Sequence, residues 1–404
     1  MTINLYHLDI VIFSLFLPMM LIFGSSHEEQ IYRAVIVMSC GIYAIARYPF
    51  LKCEYSILSR KGLIFWIVSF FLLYLFYGNF YMADAATFGS NSSAFLLLMF
   101  LCTVILFFTP YKNDRLMNML EISFCIALLV YIFYIINDMK NMTVEQMVLY
   151  RVGEKINGES VVNGNSNTVS LTVSMLSIFL FYEVFVGQHK IIAAIPLVFS
   201  MIVILFTGSK AGFFSIVLYT LMNICLFSHI TLNKIFALCI AVGLLIYIVF
   251  NNEYMYLLLG TRVEDFLSSI GVLDMPVVGD STNIRGDMYV KGMEMWMDSP
   301  MFGNGLGAFT AYSGYHTYSH NTYTEILSSF GLIGFVVFYF LPIVTFYKAL
   351  IYRKENVFIK IALMLSIIGF FFDTASIKFL SYMSMLVVIA GYIFINNYEC
   401  DHKK

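Results

Sequence analysis

Residues 319–342 read SHNTYTEILSSFGLIGFVVFYFLP, a polar start from Ser319 to Glu325 running into an apolar segment from Ile326 to Pro342. The apolar part has the length needed to cross hydrocarbon and lacks the alternation of a barrel strand. In lipid every backbone N–H and C=O must be satisfied within the segment, so this stretch predicts a transmembrane helix. The polar start places an imidazole, His320, where that helix meets water.

The rest of the chain repeats the pattern. Of the 404 residues 60% are hydrophobic and 12% charged, with a mean hydropathy of +0.83. A soluble domain carries roughly a quarter of its residues as charges, so the expected fold class is all-α and polytopic. About twelve spans are expected, at 8–24, 31–46, 62–78, 94–109, 119–137, 166–186, 191–207, 211–228, 234–250, 323–347, 358–372 and 378–396. Together they form one integral membrane domain over 1–404. The first span is read as an uncleaved helix, because Met1–Asp9 holds no Lys or Arg.

Alternate loops differ in charge. One side holds fourteen of the twenty-three Lys and Arg residues, among them Arg47, Arg60, Lys61, Lys112, Arg115 and Lys348. The other holds nine, six of them in the two longest loops, where the positive-inside rule counts least. Both termini are therefore expected in the cytoplasm. Cysteines fall in spans or on the cytoplasmic side, which excludes an outer disulfide framework. The net charge of −2 says nothing about partners.

The long outer loops are 138–165 and 251–321, the latter directly before the tenth span. In the first, Thr143-Val144-Glu145-Gln146 has capping-box spacing. In the second, Ile284–Ser299 reads as an amphipathic helix, with Ile284, Met288 and Met295 on one stripe, Arg285, Tyr289 and Trp296 beside it, and a stop at Pro300.

Candidate chemistry gathers on that side. Near neutral pH the His320 imidazole can accept a proton from a sugar hydroxyl, and Asn321 can orient a substrate group; the bland alternative is an interfacial polar residue starting a helix. His316 is the same residue type four positions earlier, and the pair lacks an evident third ligand for a metal. Arg285 follows a helix-start sequence and reads either as an anion ligand or as a side chain snorkelling to headgroups. Lys210, in the short turn Thr207-Gly208-Ser209-Lys210, carries the same two readings. Gly303-Asn304-Gly305-Leu306-Gly307 fails as a dinucleotide fingerprint and reads as a glycine turn that lets the backbone approach a ligand or the membrane. Asp9, Glu121, Glu183, Lys210, Glu325, Asp373 and Lys378 all sit near span ends, whereas ion-coupled transporters place ionisable groups near the midplane.

Taken in order, several blocks resemble the O-antigen ligase/polymerase superfamily of bacterial envelope proteins. They are Asn163-Gly164-Asn165-Ser166-Asn167, Thr207 to Ala211, Arg285 to Trp296, Pro300 to Gly307, and His320-Asn321-Thr322-Tyr323 followed by Gly331 and Gly334. The resemblance covers about Asn163–Phe340. It implies a GT-C-like glycosyltransferase in the bacterial inner membrane, acting on undecaprenyl-diphosphate-linked oligosaccharide at the periplasmic face without metal, nucleotide or other cofactor. Carried over by position, Arg285 would bind the diphosphate and His320 would engage or deprotonate the acceptor hydroxyl. Lys210, Asn167, Asn321 and Tyr323 would contact diphosphate or glycan. Lys210 stands where the family commonly has Arg, so its charge is kept but the bidentate fork is lost.

The expected activity is that of a Wzy-type polymerase, moving a growing O-antigen or capsule chain onto another lipid-linked repeat unit. The nearest alternative is a ligase transferring glycan to lipid A-core. A rival of another class is a transporter or flippase of lipid-linked sugar. Membrane lipid and a chain-length regulator protein are the implied partners, and nucleic acid is not one.

Overall fold

Apolar runs of membrane-spanning length become helices because nothing else satisfies their backbone. The computed structural model describes residues 5–22, 27–51, 53–83, 91–139, 166–227, 246–261, 281–375 and 381–402, with a few single positions between 240 and 268. Its helices are α1 (Leu5–Ile22), α2 (His27–Arg47), α3 (Lys61–Phe80), α4 (Asn91–Phe108), α5 (Asn113–Met139), α6 (Ser166–Phe185), α7 (Lys190–Thr207) and α8 (Lys210–Phe227). They continue with α9 (Ser281–Asp298), the one-turn α10 (Ala308–Tyr312), α11 (Thr322–Tyr352), α12 (Val357–Asp373) and α13 (Tyr382–His402).

Nine described helices are long and apolar enough to cross a membrane, and α4 and α12 are shorter apolar helices at two further expected spans. The protein is an all-α polytopic membrane protein. No strand occurs among the described residues; Met82 and Leu306 form one isolated parallel bridge. The expected span 234–250 and the capping box at Thr143 lie wholly or largely outside the described residues. Cys40, Cys53, Cys102, Cys125, Cys225 and Cys400 are free.

The chain forms two compact units, Met1–Met119 with Ile284–Lys404, and Leu120–Asn283. In the first, α11 packs against α3, α12 and α13, while α4 packs against α2, α3 and α13. The Trp66 indole on α3 donates to the Phe338 carbonyl of α11 at 3.0 Å. Phe13 of α1 meets Phe108 of α4 edge to face, and Phe16 stacks on Phe100.

This unit has two polar ends, because α3 runs from Arg60 to Tyr81 and α11 returns from Asn321 toward Lys348. At one end Asp9 pairs with Arg47 at 3.0 Å, both side chains at most 2% exposed. The carboxylate also accepts from the hydroxyls of Tyr43, at 2.8 Å, and Tyr111. Close by, Arg60 donates to Asn396 and Asn397, and Asn397 donates to Asn113 at 2.7 Å. The other end carries Arg285 and His320.

In the second unit α6 lies between α7 and α8. Small residues set the α6–α8 distance: a Cβ at Gly212 would stand 1.6 Å from Ser170 Oγ, and Ser215 Oγ meets Ser174 Oγ at 2.7 Å. Close approach through small and hydroxyl residues is the usual way helices associate in lipid.

Candidate active site

The expected amphipathic helix is present as α9. Its face Met288, Gly292, Met295 packs inward: Met288 and Met295 are buried with Ala308 and Phe309 of the next helix, and a Cβ at Gly292 would fall 2.0 Å from Thr324 Cγ2 on α11. Arg285 is one turn before Met288 and two turns before Gly292 on that stripe. Ile284, expected on the buried stripe, is 37% exposed instead.

After α9 the chain turns into the glycine stretch. The Trp296 indole donates to the Pro300 carbonyl at 3.0 Å, and Asn304 Nδ2 donates to the Met295 carbonyl at 2.6 Å. Residues 300–305 then run into a break in α11. Gly331 has φ 64° and ψ −161°, outside helical space, in a region that essentially only glycine occupies. The amides of Asn304 and Gly305 donate to the Ser328 and Ser329 carbonyls at 2.8 and 3.0 Å, and the amides of Leu332 and Ile333 donate to the Pro300 and Met301 carbonyls at 2.8 and 3.2 Å. The loop therefore supplies the backbone partners that the break removes, as irregular backbone at membrane depth requires. The sequence assigns one continuous span here and a glycine turn approaching ligand or lipid; the glycines instead admit one backbone against another. Tyr81 accepts from the Leu306 amide at 2.9 Å, which ties the loop to the end of α3.

The half-helix Thr322–Phe330 is thus a separate piece, and His320 stands just before it. Asn321 is its N-cap, its side chain accepting from the Thr324 amide at 3.1 Å, so one amide oxygen is committed and Nδ2 is left for other contacts. Tyr323 stacks on Tyr339 at 5.1 Å, and its hydroxyl donates to the Phe370 carbonyl at 3.1 Å. His320 has φ 56°, in the left-handed region. Its ring lies 4.2 Å from that of Tyr318.

Arg285 and His320 come together electrostatically from segments 35 residues apart. Burial, and after it the Arg285 charge, push the His320 pKa down to about 4. Burial also lowers Arg285, with Tyr318 acting in the opposite direction. Arg285 is nevertheless exposed by surface area. Tyr318 is the neighbour that sequence reasoning missed. The available signal was an aromatic two residues from a candidate base.

His316 is exposed and also left-handed, with φ 54°. Among the described residues no cluster of three His, Cys, Asp or Glu side chains is placed to hold a metal ion.

Lys210 and Asn167 belong to the second unit. Gly208, with φ 59°, caps α7 in the left-handed conformation, and Lys210 opens α8. Asn167 lies in the first turn of α6, so the Ser170–Gly212 contact sets the two helix starts side by side.

The family model described as O-antigen ligase matches residues 195–339, 145 of the 404 residues. The match runs from within α7 to the second half of α11 and contains Lys210, Arg285, His320, Asn321 and Tyr323, but not Asn167. No curated protein matches the chain.

Proposed function

We propose that this chain, whose residues 195–339 carry a domain of the O-antigen ligase/polymerase superfamily, is a polysaccharide polymerase. The reaction moves a growing glycan from undecaprenyl diphosphate to the non-reducing end of another lipid-linked repeat unit at the outer face of the bacterial inner membrane. What supports this reading is that Arg285 lies near enough to His320 to act on its charge, both within the matched residues 195–339.

In the transfer, the acceptor hydroxyl oxygen forms a bond to the anomeric carbon of the donor. The bond from that carbon to the diphosphate oxygen breaks and its electron pair leaves with the diphosphate. The hydroxyl proton goes to His320. A histidine held well below its ordinary pKa is unprotonated at neutral pH and open to receive it, but it is also a weaker base. A diphosphate lying against Arg285 offsets the charge that opposes protonation, so the donor strengthens the base that acts beside it. Arg285 stabilises the charge that grows on the leaving group. Asn321 Nδ2 and Tyr323 are assigned to the glycan. Lys210 and Asn167, at the helix starts of their own unit, are assigned as independent contacts for the lipid-linked substrate.

The description of the matched family favours a second reading, the ligase that transfers glycan to lipid A-core. The test is the chain-length distribution of surface and lipid-linked glycan in cells carrying His320→Ala or Arg285→Ala at normal abundance. A polymerase variant leaves single repeat units on lipid A-core, and a ligase variant leaves long chains on undecaprenyl diphosphate. Unchanged chains with His320→Ala overturn both readings and favour a transporter.

A further inference from the structure

We infer that Glu325 is a positioning residue for His320, acting through the Ser319 amide; the inference rests on the reading of His320 above. In an ordinary capping box the acidic side chain at the third helical position returns to the amide of the N-cap residue. Here the N-cap is Asn321, and Glu325 is the fourth helical residue. Its Oε2 reaches two residues further back and accepts from the Ser319 amide at 2.9 Å. The enlarged loop encloses His320.

Three more bonds close it. Ser319 Oγ donates to the Asn321 carbonyl at 2.9 Å, the Glu325 amide donates to the same carbonyl at 3.0 Å, and the Asn321 side chain caps the Thr324 amide. Between these anchors His320 holds φ 56°, which an L-residue keeps only where its surroundings over-determine it. Without the Ser319 anchor the backbone relaxes toward negative φ and the imidazole leaves its place beside Tyr318 and Arg285.

Glu325 is ill suited to a purely structural role. It is fully buried, and its Oε1 has no hydrogen-bond partner among the described residues. A buried carboxyl oxygen without a partner is costly. The half-helix N-terminus favours an acid in its first turn.

The test uses the purified full-length protein elongating lipid-diphosphate-linked oligosaccharide, with carbethoxylation of His320 by diethyl pyrocarbonate read at the peptide level. Glu325→Met keeps the volume and removes the acceptor. Its kcat is expected to fall on the order of 100-fold, as for a misplaced catalytic group, with donor KM within about threefold and His320 labelled several-fold faster. Glu325→Gln, which still accepts from Ser319, is expected to recover kcat to within about tenfold. Wild-type kcat and wild-type labelling in Glu325→Met overturn the inference, even when His320→Ala is inactive. If His320→Ala remains active, the site reading fails, and labelling alone decides whether Glu325 anchors this turn. Should Glu325→Met not accumulate, Glu325→Asp, one methylene too short, is read the same way.

Discussion

Gly303 and Gly331 meet backbone to backbone: a Cβ on Gly331 would stand 2.5 Å from the Gly303 nitrogen, and one on Gly303 would stand 2.6 Å from the Gly331 nitrogen. Both residues have positive φ, at 68° and 64°. Neither contact can be relieved by moving a side chain. Gly331→Ala and Gly303→Ala are each expected to cost about 3 kcal/mol or more, from strained φ/ψ together with overlap. Thermal unfolding in detergent measures this. Gly369 is the control, since a Cβ there would meet nothing within 4 Å; Gly369→Ala is expected to cost little.

The Asp9–Arg47 pair sets a second expectation. Removing one partner of a buried pair leaves an uncompensated charge, which costs about 3–5 kcal/mol, whereas an apolar replacement of both is often neutral. Asp9→Asn should therefore lower the melting temperature strongly, and Asp9→Asn with Arg47→Met should restore much of it. The pair lies at the end of its unit remote from His320, so protein that does fold should keep its chain-length pattern. A double variant no more stable than Asp9→Asn would contradict this account.

The helices were legible because lipid leaves apolar runs one solution, and α9 was legible because its Met288–Met295 stripe has helical spacing. The break in α11 was not. A glycine inside an apolar run is tolerated by a helix, and only the Pro300–Gly305 backbone lying against Gly331 shows why this one is broken. Arg285 and His320 were nominated by residue type and position, whereas Tyr318 and the Glu325 carboxyl that accepts from Ser319 were not. Glu325 looked like a charge at a span end, because its partner is an amide and amides carry no sequence signal. Asp9 and Arg47 are far apart in sequence, so their ion pair was equally invisible.

Lys210 sits at the start of α8, where the helix dipole disfavours a cation by about 0.3–1 kcal/mol. Lys210→Gln relieves that dipole cost and is expected to lower elongation on the order of tenfold, the trade-off typical of functional charges. Lys210→Arg, which restores a bidentate fork, should elongate at least as well as wild type. Melting temperature and elongation rate measured on the same preparations separate the two effects. A loss of both in Lys210→Gln would give Lys210 a structural role.

His320 gives the pH dependence. Its pKa is lowered to about 4, burial being the larger cause and Arg285 the smaller. On the proposed reading transfer needs the neutral ring, so kcat/KM, which reports the free enzyme, should stay level from neutral pH down to about pH 5 and fall below that. Arg285→Gln removes the Coulombic part and leaves the burial part, so the acid limb should move to higher pH without reaching the ordinary histidine value near 6.5. The limb on kcat, which reports the donor-bound enzyme, should lie above that on kcat/KM in the wild type, because the diphosphate offsets the Arg285 charge. Stability follows the same group. Because the folded-state pKa lies below the unfolded one, the unfolded chain binds the extra proton first, and His320 costs stability progressively as pH falls from about 6.5 toward 4. A wild-type acid limb near pH 6.5 on kcat/KM, unmoved by Arg285→Gln, would mean that Arg285 and His320 do not act on one another in the working enzyme.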